Sequence, residues 1–153
     1  MGERLKPQDK LKSWEVHNGM VLVCPLCKVC ADTHDHLFFD CSYSRQVWLK
    51  AQALTHLPCL HNWRSLVSCI SPSASRNSVR GVVAKLVFAV SVYFIWQERN
   101  NRIFKKSHRT EVKLFEDVIA TVRLKLLSIK FKVSADVDHM KKLCLCSVCY
   151  LIF

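Results

Sequence analysis

The sequence predicts a mainly α fold, in which a small helical and loop domain, held by a side-chain cluster, precedes a long antiparallel helix pair. Three observations point there. Only three glycines and four prolines in 153 residues argue against a turn-rich all-β chain and in favour of helices. Half the residues are hydrophobic, enough for a packed core and too many for wholesale disorder. Cysteines and a histidine near the start follow the spacing C-x2-C-x8-H-x4-C, a set of side chains suited to converge on one point.

Taken in order, 4–14 reads as a short helix with Leu5, Leu11 and Trp14 buried and Asp9 in its first turn. Met20–Val23 is a brief apolar run, suited to a strand leading into Cys24. In Cys24-Pro25-Leu26-Cys27, Pro25 fixes one backbone angle of a turn, and the two-residue gap lets both sulfurs face one point. His36 and Cys41 complete the pattern. Four soft or borderline ligands close the tetrahedral shell of a structural Zn2+ of the Cys3His type. His34 and Cys30 compete with His36 for the third place. His36 is preferred because it leaves four residues to Cys41 and adjoins the apolar Leu37-Phe38-Phe39, which would anchor it to the core. The evenly spaced Cys24, Cys27 and Cys30 suggest an iron–sulfur run, but a fourth cysteine followed by proline is missing.

Beyond Cys41, Ser42 or Ser44 can cap a helix from about 45 to 56, with Val47, Trp48, Ala51 and Leu54 as its apolar stripe and Pro58 as its stop. Trp48 fits a core position beneath the metal site better than a base-stacking platform. Asn62 opens a short helix carrying Trp63, Leu66, Val67 and Ile70. The domain would thus cover 1–70, and the serine-rich 71–78 is the best linker in the chain.

A helical hairpin is expected over 79–132. Its first helix runs to about Phe104 and is apolar all round in its first half. Leu86–Trp96 is nearly all apolar but only eleven residues long, whereas a bilayer takes about 20, so a buried core helix is expected and no membrane. The second half turns basic: Arg99, Arg102, Lys105, Lys106 and Arg109 cluster near its end, where cations also suit the helix dipole. Thr110 can cap the second helix, with Glu111 in its first turn. Phe115, Val118, Ile119, Val122, Leu126 and Ile129 recur at helical spacing, leaving Lys113, Arg123, Lys125 and Lys130 for solvent. The remaining 133–153 form a divergent tail, in which Cys144, Cys146 and Cys149 lack a nearby histidine and read as buried or loosely attached thiols rather than a second metal site.

The formal charge is +11, from 23 Lys and Arg against 12 Asp and Glu. This favours a polyanionic partner, RNA or DNA, because neutralised phosphates release counterions; the plain alternative is a merely soluble basic protein. Nine cysteines is an odd count, and 1–12 are polar without the apolar stretch of a secretory signal. Reduced intracellular thiols with a metal are therefore expected, in nucleus or cytoplasm, rather than a secreted disulfide scaffold.

Arg4-Leu5, Asp9-Lys10-Leu11, Trp14, Cys24-Pro25-Leu26-Cys27, Asp32-Thr33, His36-Leu37-Phe38-Phe39, Cys41 and Val47-Trp48 together resemble the plant reverse-transcriptase zinc-binding domain. That domain lies at the C-terminal end of the polyprotein of LINE-type non-LTR retrotransposons. Tyr93–Phe104 resembles the tail that follows it, so the likeness spans about 4–131, with the cysteine–histidine block as its most specific part. The resemblance implies Cys24, Cys27, His36 and Cys41 as ligands of one structural zinc. Three departures stand out. The family's domain normally begins further upstream, so Met1 is expected to lie inside it. Polymerase and endonuclease regions are absent, as are paired aspartates of the polymerase type. Beyond Val133 nothing matches. A fragment or domesticated remnant is expected.

Three functions follow. A zinc-binding module associating with nucleic acid would use Arg99, Arg102, Lys105, Lys106 and Arg109 on phosphates. A structural or protein-interaction remnant would use zinc only to hold its fold and would present apolar surface to a protein partner. An enzyme is disfavoured, since no nucleophile motif surrounds any cysteine, a closed zinc shell has no open position, and no small-molecule substrate is implied.

Overall fold

The computed structural model describes residues 23–55, 62–70 and 79–128. The expected helix over 4–14, the linker 71–78 and the cysteine-rich tail lie outside them. The described residues form a mainly α fold without a β-strand; their only pairing of the β type is an isolated antiparallel bridge between Val23 and Ala31.

The described part begins in the cysteine-bearing loop and enters a π-type turn, His36–Asp40, whose Leu37, Phe38 and Phe39 are all buried. Helix α1, Ser42–Thr55, begins directly after Cys41, three residues before the expected Arg45. Cys41 is extended (φ −65°, ψ 129°), so it breaks the preceding turn while its carbonyl accepts the Arg45 N–H at 2.8 Å. Ser44 does not cap; its Oγ donates to the Leu37 carbonyl at 2.6 Å and ties α1 back to the turn. Val47, Trp48 and Ala51 face inward as their spacing requires.

Helix α2, Trp63–Ile70, is capped by Asn62, whose Oδ1 accepts the Ser65 N–H at 2.8 Å. Helix α3, Val79–Asn100, is the central element, touching α1, α2 and the final helix α4, Glu111–Ser128. Gly81–Lys105 is long and apolar enough, by length and composition alone, to cross a membrane. Here Val83, Val87 and Ile95 are buried in the shared core, and the same helix carries Glu98 and Arg99 in fully enclosed positions. A second π-type turn, Asn101–Lys105, ends the run, and Lys106 reverses the chain in the left-handed conformation (φ 52°). Thr110 caps α4 through the Lys113 N–H at 3.2 Å. Leu114, Phe115, Val118, Ile119, Val122 and Leu126 then fold back onto α3.

The metal-loop side chains and the hairpin share one hydrophobic cluster. Trp48 lies beneath the cysteine–histidine block, as expected: its indole N–H donates to the Phe38 carbonyl and its ring stacks on Phe39 and Phe88.

Candidate metal centre

Two local structures build the centre. In the first, the Val23–Ala31 bridge closes the base of a loop, and the Cys24 N–H donates to the Cys30 carbonyl at 2.8 Å. The Lys28 N–H returns to the Cys24 carbonyl at 2.8 Å, curling Cys24–Lys28 into a knuckle. Closing that curl requires a left-handed residue at its end, and Lys28 supplies it at φ 60° without being glycine.

The second is the π-type turn. The Cys41 N–H donates to the His36 carbonyl at 2.7 Å, five residues back, so the wide turn stacks position 41 over position 36. This is the physical content of the four-residue gap: an α-helix would bring i and i+4 together, whereas this turn aligns i and i+5. Thr33 fixes its start, taking the His36 N–H on Oγ1 at 3.2 Å and the Leu37 N–H on its carbonyl at 2.9 Å.

Together they bring Cys24, Cys27, His36 and Cys41 to one point, each offering an atom within 4.8 Å of the others. Cys24 Sγ lies 4.0 Å from Cys41 Sγ, and Cys27 Sγ lies 3.2 Å from His36 Nε2. A tetrahedral zinc with thiolate bonds of about 2.3 Å has S–S edges of about 3.8 Å, so this spacing fits the ion. Cys24 and Cys41 are fully buried, Cys27 and His36 partly so.

The electrostatics of the donor set also suit a dication. Cys24 and Cys41 behave as a coupled pair around one proton. The hydrogen bond from Cys24 is the main reason the Cys41 thiol falls to about 5; burial opposes this, and the Ser44 and Tyr43 N–H groups at the start of α1 assist. The same contact, together with burial, pushes the Cys24 thiol far above its ordinary value. A second buried thiolate beside the first is costly unless a cation sits between them.

The two rivals for the third position lie elsewhere. Cys30 is exposed. The His34 ring packs against Phe38 and Trp63, with centroids 5.0 Å and 5.6 Å away, outside the cluster.

The basic residues of the α3 end are divided between inside and outside. Arg99 is 2% exposed, and its Nη2 meets Asp32 Oδ2 at 2.6 Å, pinning the segment between knuckle and π-turn to α3. Arg102 reaches into the knuckle: Nη1 donates to the carbonyls of Leu26 at 2.9 Å and Pro25 at 3.4 Å, its Nη2 to the Arg109 carbonyl at 3.0 Å, and its guanidinium stacks over Tyr43 at 4.6 Å. Arg109 pairs with Glu98 and Asp117, each at 2.9 Å. Lys105 and Lys106 are exposed and form no ion pair among the described residues.

At the hub stands Glu98, fully buried. Burial alone would raise its pKa, but the Arg109 N–H and the guanidinium groups of Arg102 and Arg109 outweigh it and hold the carboxyl below its ordinary value. Glu98 and Asp32 were not among the site residues expected from sequence. The Glu98–Arg102 spacing of four was a usable signal; the Asp32–Arg99 pair, 67 residues apart, had none.

Comparison with known proteins agrees on the centre. Residues 1–48 match the family model described as zinc-binding in reverse transcriptase, a match that contains all four clustered ligands and ends within α1. No curated protein and no solved structure gives a significant match.

Proposed function

We propose that this chain is a zinc-binding module in which one Zn2+, held by Cys24, Cys27, His36 and Cys41, locks the knuckle onto the helices, and that the module associates with nucleic acid. The convergence of those four donor atoms within 4.8 Å carries the zinc reading. The ion would supply charge to hold neighbouring thiolates together and would staple the knuckle to the π-turn. All four positions of a tetrahedral shell would be taken by protein, so the module has no chemistry of its own. Derivation from a retrotransposon reverse transcriptase, in an intracellular setting where thiols stay reduced, is the origin that goes with this reading.

The charge of +11 supports the nucleic-acid part. A second reading has its own observation: Arg99, Arg102 and Arg109 spend their guanidinium groups on Asp32, Glu98, Asp117 and backbone carbonyls. That engagement favours a purely structural module, with zinc and arginines holding one fold. A salt titration of binding to RNA and DNA separates the two. Association through phosphates weakens linearly in log–log form as salt rises, whereas no binding at low salt leaves the structural reading.

A further inference from the structure

Phe104 is 77% exposed, the most exposed aromatic side chain among the described residues. It follows a helix whose Val83, Val87, Val92 and Ile95 are buried, and it is succeeded by Lys105 and Lys106, both exposed, with His108 exposed just beyond. No Asp or Glu occurs between Arg99 and Thr110. Arg102, two residues earlier, grips the Pro25 and Leu26 carbonyls, so the knuckle tip lies at the same end of the molecule. That tip presents Lys28 and the 80% exposed Val29. The only non-glycine residues with positive φ among the described residues are Lys28 and Lys106, one in each of these two turns.

We propose that this end of the molecule binds single-stranded nucleic acid, with Phe104 as a stacking platform for a base and Lys28, Lys105 and Lys106 contacting the backbone. The proposal rests on the nucleic-acid reading above and moves its contacts from the internally paired arginines to residues that face solvent. An exposed aromatic ring among cations, in a turn that carries no acid of its own, combines the two elements of sequence-tolerant single-strand binding: a π-face for any base and charge for the phosphates. A protein partner would need a broader apolar face than this ring and Val29 provide. A duplex would keep its bases stacked on each other and out of reach of Phe104.

The test is fluorescence anisotropy of the zinc-loaded full chain with labelled 12-nucleotide single strands of RNA and of DNA, and with a duplex of the same sequence. Phe104→Ala should weaken single-strand binding by about 5- to 150-fold, the range of one lost base stack, while leaving the salt slope and zinc content unchanged. Phe104→Trp should restore binding. Lys105→Gln with Lys106→Gln should flatten the salt slope by about 1.4, at about 0.7 per contact to a single strand. Wild-type protein that binds no nucleic acid overturns both this proposal and the reading beneath it. Wild-type binding that Phe104→Ala and the double lysine variant leave intact, or equal affinity for the duplex, overturns this proposal alone. Self-association abolished by Phe104→Ala, without an effect on nucleic acid, would also overturn it in favour of a protein contact.

Discussion

Replacing Glu98 with alanine isolates the link between the helix hairpin and the metal loop. Glu98 is 0% exposed and accepts three hydrogen bonds: from Arg102 Nε at 2.8 Å, from the Arg109 N–H at 2.8 Å and from Arg109 Nε at 2.9 Å. Alanine removes every acceptor at once. Arg102 then keeps the carbonyls of Pro25, Leu26 and Arg109 and its stacking on Tyr43, whereas Arg109 retains Asp117 and Gln97. Removing one partner of a buried ion pair costs about 3–5 kcal/mol, and the surviving Asp117 contact places this case near the lower end, at about 3 kcal/mol. With a urea m-value of about 2 kcal/mol/M, the unfolding midpoint should fall by about 1.5 M. The assay is urea unfolding of the zinc-loaded protein followed by far-ultraviolet circular dichroism. Glu98→Gln, which keeps one acceptor oxygen and the side-chain volume, should recover part of the loss. A midpoint for Glu98→Ala within about 0.3 M of wild type would refute the reasoning, because at that slope it amounts to only about 0.6 kcal/mol, far short of a broken buried ion pair.

Lys28→Gly should stabilise the zinc-loaded protein by up to about 1 kcal/mol in the same assay, since glycine meets φ 60° without the Cβ clash; the gain is reduced by the added freedom of the unfolded chain. Acid should destabilise the fold through Glu98. Its folded pKa is depressed, so its contribution is fully present above the ordinary carboxylate range, about 4.3, and is lost as pH falls through the folded value; Glu98→Gln should lose that part of the acid dependence of the midpoint. Metal affinity should also fall with acid: the Cys24 thiol is held protonated well above its ordinary value and must release that proton to bind. Competition with a chelator between pH 8 and 6 should therefore show at least about a tenfold loss per pH unit.

The helices were legible because their signals are local. Asn62 and Thr110 cap as their positions suggested, and the apolar residues of α4 face inward from Phe115 to Leu126. The cysteine–histidine block was legible from spacing, and the preference for His36 from its place before Leu37-Phe38-Phe39, but the geometry that groups it with the cysteines and leaves His34 and Cys30 aside is three-dimensional detail. The π-type turn that stacks Cys41 on His36 has no simple sequence code, and the aromatic pocket that takes up the His34 ring is made partly by Trp63, remote in the chain. The basic cluster was the least legible part. A run of arginines looks the same whether it faces solvent or reaches inward, and the difference lies in distant acceptors: Asp32 for Arg99 and the Leu26 carbonyl for Arg102. The early start of α1 has a similar origin, since the extended backbone of Cys41 sets where the helix begins.

Titration of the reduced protein with Co2+ tests the metal centre most directly, because its absorption spectrum reports both thiolate ligation and tetrahedral geometry. One equivalent should give intense sulfur-to-metal charge-transfer bands and the visible bands of a tetrahedral ion, and one equivalent of Zn2+ should displace it. The spectrum should survive Cys30→Ser and His34→Ala and be lost or altered in Cys24→Ser, Cys27→Ser, His36→Ala and Cys41→Ser. A pale octahedral spectrum, or one that depends on His34 or Cys30 and ignores His36, would contradict the account.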